Sequence, residues 1–162
     1  QTGFRNFDAY RKEFAFIAKD MPQEIASRYR FLPHLSAPEI AKAYGSCDLL
    51  VGRGGASTIF EAAATGTPAI LIPIPESAQN HQFQNAYAYH AAGGALVLEE
   101  DNLLISVFLS EAMRLIGSPE QMEAMKKAAR AFFVPESERL IAEHIFKAVF
   151  PTLEEEAPRQ VK

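Results

Sequence analysis

Residues 48–74 read DLLVGRGGASTIFEAAATGTPAILIPI, and this stretch decides the fold. An apolar run, DLLVG (48–52), feeds a glycine-rich loop and a segment of small residues. GTP then resets the chain into a second apolar run, AILIPI (69–74). Continuous apolar runs bounded by turn signals suit parallel strands covered on both faces. Two parallel strands need a crossover between them, and a helix is the usual one.

The alternation extends both ways. Upstream, Phe7, Tyr10, Phe14, Ile17 and Ala18 keep helical spacing, with Asn6 as cap, and Pro22 opens a short second helix. RYRFLP (28–33) alternates polar and apolar and stops at proline, which predicts a short strand. Ser36 and Glu39 form a capping box for a helix running to about Tyr44. Downstream, a helix over 79–92 ends at Gly93-Gly94, and ALVL (95–98) is a further strand. Helices at about 103–116, 119–133 and 136–149 follow, with Ser118-Pro119 and Pro135-Glu136 as start signals. Pro151 ends the last helix, and 151–162 reads as a charged, frayed tail.

There is no internal repeat or interior linker, so 1–150 is read as one domain. Strand and helix in series predict a doubly wound α/β sheet. Ligands of such sheets sit at the carboxyl ends of the strands. The loops to watch are therefore 33–36, 52–57, 73–81 and 98–102.

The totals set limits. A net charge of −4 argues against nucleic acid as the main partner, since such domains carry a basic excess. The one cysteine, Cys47, rules out a disulfide within the chain and suits a reducing cytosol. No apolar run approaches the roughly 20 residues that span a bilayer, and no secretory leader is read. The abrupt opening, QTGF without an initiator Met, is read as the start of a piece of something longer.

Gly52, Gly54 and Gly55 stand between a strand and a helix. Glycine lets a ligand approach the backbone, and the first N–H groups of a helix are an anion site, most naturally for phosphate. The pattern is neither a P-loop nor G-x-G-x-x-G, and a plain tight turn reads equally well. Thr58 and Glu61 share a helix face. They are either another capping box or a carboxylate placed to accept two hydrogen bonds from a ribose diol. ESAQNHQFQNA (76–86) crowds amides and an imidazole at a strand-to-helix junction. Such groups read sugar hydroxyls, although a solvated helix start crowds polar residues too. Cys47 is expected in the core, His90 and His144 in surface or packing roles. The Lys126, Lys127, Arg130 patch is expected to be a solvated helix face.

Joined, GRGGASTIFEAAATGTPAILIPIPESAQNHQFQNAYAYHAAGGALVLEEDNL resembles the C-terminal domain of the MurG family. These bacterial transferases add N-acetylglucosamine to lipid-linked muramoyl-pentapeptide in peptidoglycan synthesis. The resemblance covers roughly 1–150 and is densest over 44–102. Its specificity lies in the combination G-A-x-T-x-x-E, G-x-P-A-x-x-x-P and H-Q-x-x-N-A.

The resemblance implies a Rossmann-like parallel sheet flanked by helices: the C-terminal half of a GT-B fold, without its first strand and glycine-serine loop. That half binds UDP-N-acetylglucosamine. Gly55 and Ala56, with Ser57 beside them, would let backbone approach the donor. Thr58 would lie near the phosphates and Glu61 would hold the ribose hydroxyls. His81 and Gln82 would contact the sugar, and His34 and Leu35 would read uracil. Arg53 belongs to the motif without an assigned contact.

The reaction implied is inverting glycosyl transfer, with UDP leaving. A missing N-terminal domain would supply the lipid-linked acceptor site, the general base and peripheral membrane contact at the inner face of the cell membrane. This piece alone is expected to be inactive. No cofactor is implied, and no Asp-x-Asp triplet suggests a metal. His34, His81, His90 and His144 have no obvious acidic partner in sequence. Two alternatives remain: an enzyme like UDP-N-acetylglucosamine 2-epimerase, and a non-catalytic nucleotide-sugar module that needs a partner chain. A generic dinucleotide-binding domain is weaker, since its glycine fingerprint is absent.

Overall fold

The structure is a computed structural model that describes residues 1–75 and 78–150. The expected tail at 151–162, and Glu76 and Ser77 of the polar junction, lie outside the described residues. Helices α1 (Phe7–Ile17), α2 (Gln23–Ala26) and α3 (Ala37–Ser46) precede the sheet. Then β1 (Leu50–Gly52), α4 (Ala56–Thr65), β2 (Ala69–Leu71), α5 (His81–Ala91) and β3 (Ala95–Val97) alternate. Helices α6 (Ile105–Ile116), α7 (Pro119–Phe132) and α8 (Ser137–Val149) follow.

The sheet is parallel, in the order β1-β2-β3. Leu50, Val51 and Gly52 register with Ala69, Ile70 and Leu71, and these in turn with Ala95, Leu96 and Val97. The central strand is fully buried on both faces, which is why its sequence carries no polar alternation. Ala69 and Leu71 face one cluster with Ile59, Ala63, Ala86 and Tyr89 of α4 and α5. Ile70 faces the other, with Leu115 of α6 and Met122 and Met125 of α7. Helices therefore cover both faces: the crossovers α4 and α5 on one, and α6 with part of α7, from beyond the sheet, on the other.

The small residues of α4 have a packing reason. Ala62 and Ala63 are completely buried, and α4 lies close against α7 as well as α3 and α5. Gly66 ends the helix in the left-handed conformation (φ 70°), which lets the Thr67 N–H reach back to the Ala62 carbonyl at 2.8 Å. The Tyr89 ring fills the space above Gly94 and is wholly buried. Its hydroxyl has no hydrogen-bond partner among the described residues, and burial pushes its pKa up to about 12.

One expected strand does not form. Residues 28–33 carry no ladder; a single main-chain bond, Thr2 N–H to the Leu32 carbonyl at 2.9 Å, ties them to the start of the chain. The alternating aromatics are used otherwise. Tyr29 and Phe31 pack on Phe14 of α1, with ring centroids 4.7 and 5.0 Å apart. Period-two patterning alone does not make a strand, which also needs a ladder partner, and none among the described residues pairs with these. The 99–101 acidic run, read as part of a loop, includes a 3-10 turn over Glu100–Asn102.

Candidate functional site

The loops after β1, β2 and β3 emerge at one edge of the sheet, because the strands are parallel. There Gly55 occupies the N-cap position of α4 in extended conformation, and no side chain caps the helix. The first N–H groups of α4 have no intrahelical partners and carry the positive end of its dipole.

The adjacent glycines do different work. A Cβ on Gly54 would collide with the Gln82 carbonyl oxygen and crowd the Ala86 methyl, so its bareness lets α5 close on the loop. A Cβ on Gly55 would meet nothing within 4 Å. Room for a ligand to reach the backbone therefore lies at Gly55, beside Ala56 and Ser57.

The two T/S-x-x-E pairs also separate. Ser36 and Glu39 are a capping box: the Ser36 N–H and hydroxyl both donate to Glu39 Oε2, at 2.8 and 2.6 Å. These bonds hold the Glu39 carboxyl below its ordinary range, and His34 nearby adds a smaller pull. His34 thus has an acidic neighbour that its sequence spacing did not single out. Thr58 and Glu61 are not a capping box, because the cap is Gly55 and Thr58 is already the third residue of α4. Glu61 is not spent on its own helix end.

Glu61 looks across to α3 over a cleft of about 400 Å³ whose walls include His34, Leu35, Tyr44 and Thr65. Three residues marked in the sequence, His34, Leu35 and Glu61, thus meet around one cavity of the size that holds small ligands. A second groove of about 280 Å³ adjoins it, with Thr58, Gly52 and Leu50 in its walls. Leu35, Ile40 and Tyr44 belong to both. Tyr44 thus shares the wall of the first cavity with Glu61 and that of the second with Thr58. Its pKa is raised, first by burial and then by the Glu61 charge.

His81 and Gln82 open α5 and line neither cavity. The Gln82 side-chain oxygen accepts from the Ile74 N–H at 3.1 Å, tying α5 to the segment that leaves β2. Just before them Gln79 and Asn80 are both left-handed, at φ 54° and 55°. Non-glycine residues seldom adopt this conformation, although asparagine does so more readily than most.

Arg53 has contacts that sequence reasoning missed. Its Nη1 donates to the Ile72 carbonyl at 3.1 Å and to Glu100 Oε2 at 2.7 Å, and Nη2 reaches Glu100 Oε1 at 3.4 Å. One guanidinium therefore joins the segments following all three strands, and it holds the Glu100 carboxyl below its ordinary range. The available signal was an arginine directly after a strand, within reach of the acidic run at 99–101. Cys47 donates its S–H to the Leu49 carbonyl at 2.9 Å, and burial pushes the thiol up, away from nucleophile chemistry. The His90 ring is spent on the Ala95 carbonyl at 2.7 Å. Among the described residues no cluster of three or more His, Cys, Asp or Glu could hold a metal ion.

The model of the glycosyltransferase family 28 C-terminal domain matches residues 18–143. Among curated proteins, the UDP-N-acetylglucosamine–N-acetylmuramyl-(pentapeptide) pyrophosphoryl-undecaprenol N-acetylglucosamine transferase of Anaeromyxobacter sp. (strain K) is 37% identical over 105 residues, 65% of this chain and 27% of that protein. The protein of the same name from Xylella fastidiosa (strain Temecula1) is 39% identical over 110 residues, 67% of this chain and 30% of that protein. The chain thus spans under a third of the length of these relatives. The crystal structure of Acinetobacter baumannii MurG superposes with a TM-score of 0.73 at 24% identity, over 90% of this chain and 41% of that one. The glycosyltransferase VinC, solved with dTDP, gives 0.55 at 24% identity over 74% of this chain and 26% of that one. Both support the fold: a small parallel sheet flanked by helices, of the GT-B type.

Proposed function

Because the chain belongs to the family of the glycosyltransferase family 28 C-terminal domain, we propose that it is the donor-binding half of an N-acetylglucosaminyltransferase of peptidoglycan synthesis. The donor is UDP-N-acetylglucosamine and the acceptor a lipid-linked muramoyl-pentapeptide, lipid I becoming lipid II. One observation carries this reading: Glu61, free of any capping duty, faces His34 and Leu35 across a single cleft beside the uncapped start of α4.

In this reading Glu61 accepts the two ribose hydroxyls, and uracil lies against His34 and Leu35. The diphosphate meets the N–H groups of Gly55, Ala56, Ser57 and Thr58. Fixed N–H donors stabilise charge on the departing UDP without reorganising, which is the largest task in this transfer. His81 and Gln82 reach the sugar from the start of α5. The acceptor hydroxyl and the general base belong to another part of the enzyme, which works at the inner face of the membrane as a peripheral protein. No helix among the described residues is long and apolar enough to cross a membrane.

The test is a calorimetric titration of the folded chain with UDP-N-acetylglucosamine, with UDP-N-acetylgalactosamine and NAD as controls. Selective binding, weakened in Glu61→Ala, is the expected result. A folded chain that ignores the donor, or binds NAD equally well, overturns the reading. A module working with a separate partner chain is a second reading, and the apolar side chains that α6 and α8 leave exposed favour it.

A further inference from the structure

Gly54 and Gly55 give the loop before α4 a backbone with wide conformational freedom. Gly54 is held from one side, because the Gln82 carbonyl of α5 lies against it. At Gly55 a Cβ would meet nothing within 4 Å, so that point of the loop has no packing of its own. Fixed N–H donors stabilise an anion only if they keep one orientation. The remaining hold on the loop comes from Arg53, the residue just before the glycines.

The Arg53 guanidinium grips two other segments at once. It donates to the Ile72 carbonyl after β2 at 3.1 Å, and to both carboxylate oxygens of Glu100 after β3 at 2.7 and 3.4 Å. Contact through two nitrogens to two oxygens fixes the orientation of the guanidinium as well as its place. Glu100 stands on a segment that is itself tied down. It opens the 3-10 turn, and Glu99 beside it accepts the Tyr87 hydroxyl of α5 at 2.6 Å. The adjacent carboxylates therefore have separate tasks: Glu99 docks the segment on α5, and Glu100 passes that position on to Arg53. The side chains of the Arg53–Glu100 pair are 48% and 43% exposed. A pair this exposed adds little to global stability, so its effect is local. The pairing also meets the charge of Arg53 with a carboxylate, which leaves place rather than attraction as the contribution of Arg53.

We propose that Arg53 is a positioning residue: the Arg53–Glu100 bridge, anchored on the Ile72 carbonyl, holds the glycine loop in the conformation that turns the N–H groups of Gly55 and Ala56 toward a diphosphate. The proposal rests on the donor reading above, and Arg53 is given no contact with the nucleotide. A loop released from the bridge populates that conformation only part of the time, and the apparent affinity falls by that fraction.

The experiment measures affinity for UDP and for uridine in the full chain and in Arg53→Ala, Glu100→Ala and the double variant. Thermal melts establish that each is folded, and Glu100→Ala, at a half-exposed side chain, carries the test by itself where Arg53→Ala unfolds. Each single variant is expected to weaken UDP about three- to fivefold, the upper range for an exposed ion pair. Uridine, which has no phosphate, is expected to bind unchanged, and the double variant to match Arg53→Ala. The sign of the Glu100→Ala change separates place from charge. Removing a carboxylate near an anion site strengthens UDP binding if Arg53 acts by attraction, and weakens it if the bridge sets the loop. Unchanged or tighter UDP binding in Glu100→Ala overturns the proposal, as does equal weakening for uridine or a full additional loss in the double variant. A wild-type chain that is folded and does not bind UDP sinks the donor reading instead. UDP binding that Glu61→Ala weakens and Arg53→Ala does not sinks this inference alone.

Discussion

Gly54 and Gly55 are neighbours with opposite surroundings, and substitution separates their roles. Gly54→Ala drives a methyl into the Gln82 carbonyl and must push α5 off the loop. Overpacking of this kind costs about 1–3 kcal/mol, to be read as a lower urea midpoint. Gly55→Ala adds a methyl in open space at an ordinary backbone conformation. Its midpoint is expected to stay at the wild-type value while UDP-N-acetylglucosamine binding weakens; unchanged binding would remove Gly55 from the donor site. At this scale the sequence marked both glycines without dividing their tasks. Three glycines between a strand and a helix say that something comes close; they do not say whether it is a ligand or Gln82. Arg53 was missed for a related reason, since its partners Ile72 and Glu100 are brought to it only by the parallel sheet.

At the scale of elements, α3 is the piece whose start is coded locally and whose end serves the cleft. Its capping box is pH-dependent. The folded-state pKa of Glu39 lies below the ordinary value, so the box contributes fully above the ordinary carboxylate range and is lost as pH falls through the lowered value. Wild type and Ser36→Ala should therefore differ in urea midpoint near neutral pH and converge in acid. A gap that persists at low pH would assign the effect to the Ser36 oxygen's bond from the Glu39 main-chain N–H, the half of the box that does not titrate. Ser36 and Glu39 were legible because both partners lie within one turn. The 28–33 strand was misread because its periodicity is local and its missing neighbour is not. The strands that do form are shorter than their apolar runs. After Leu71 the strand ends, and the Ile72 N–H bonds the Gly52 carbonyl at 2.8 Å.

Across the whole molecule, burial is uneven. Ile70, Ala62, Ala63 and Tyr89 are completely enclosed, whereas α1 and α8 bury no residue. Ile105 and Met113 of α6 are 78% and 73% exposed. Hydrogen exchange should be slowest in β2, α4 and α5 and fastest in α1 and α8. Equal protection in α8 would show that its apolar face is covered in solution. The family resemblance, read over roughly 1–150 and densest over 44–102, is borne out by the family model that matches residues 18–143. The sheet order has a kinetic consequence. Each strand pairs only with the next in sequence, so every closure spans one helix. The entropy of such closures grows slowly with loop length, and local pairings speed folding. The α4–β2–α5 unit can assemble without waiting for either end of the chain, and the cleft is completed only when α3 docks on α4.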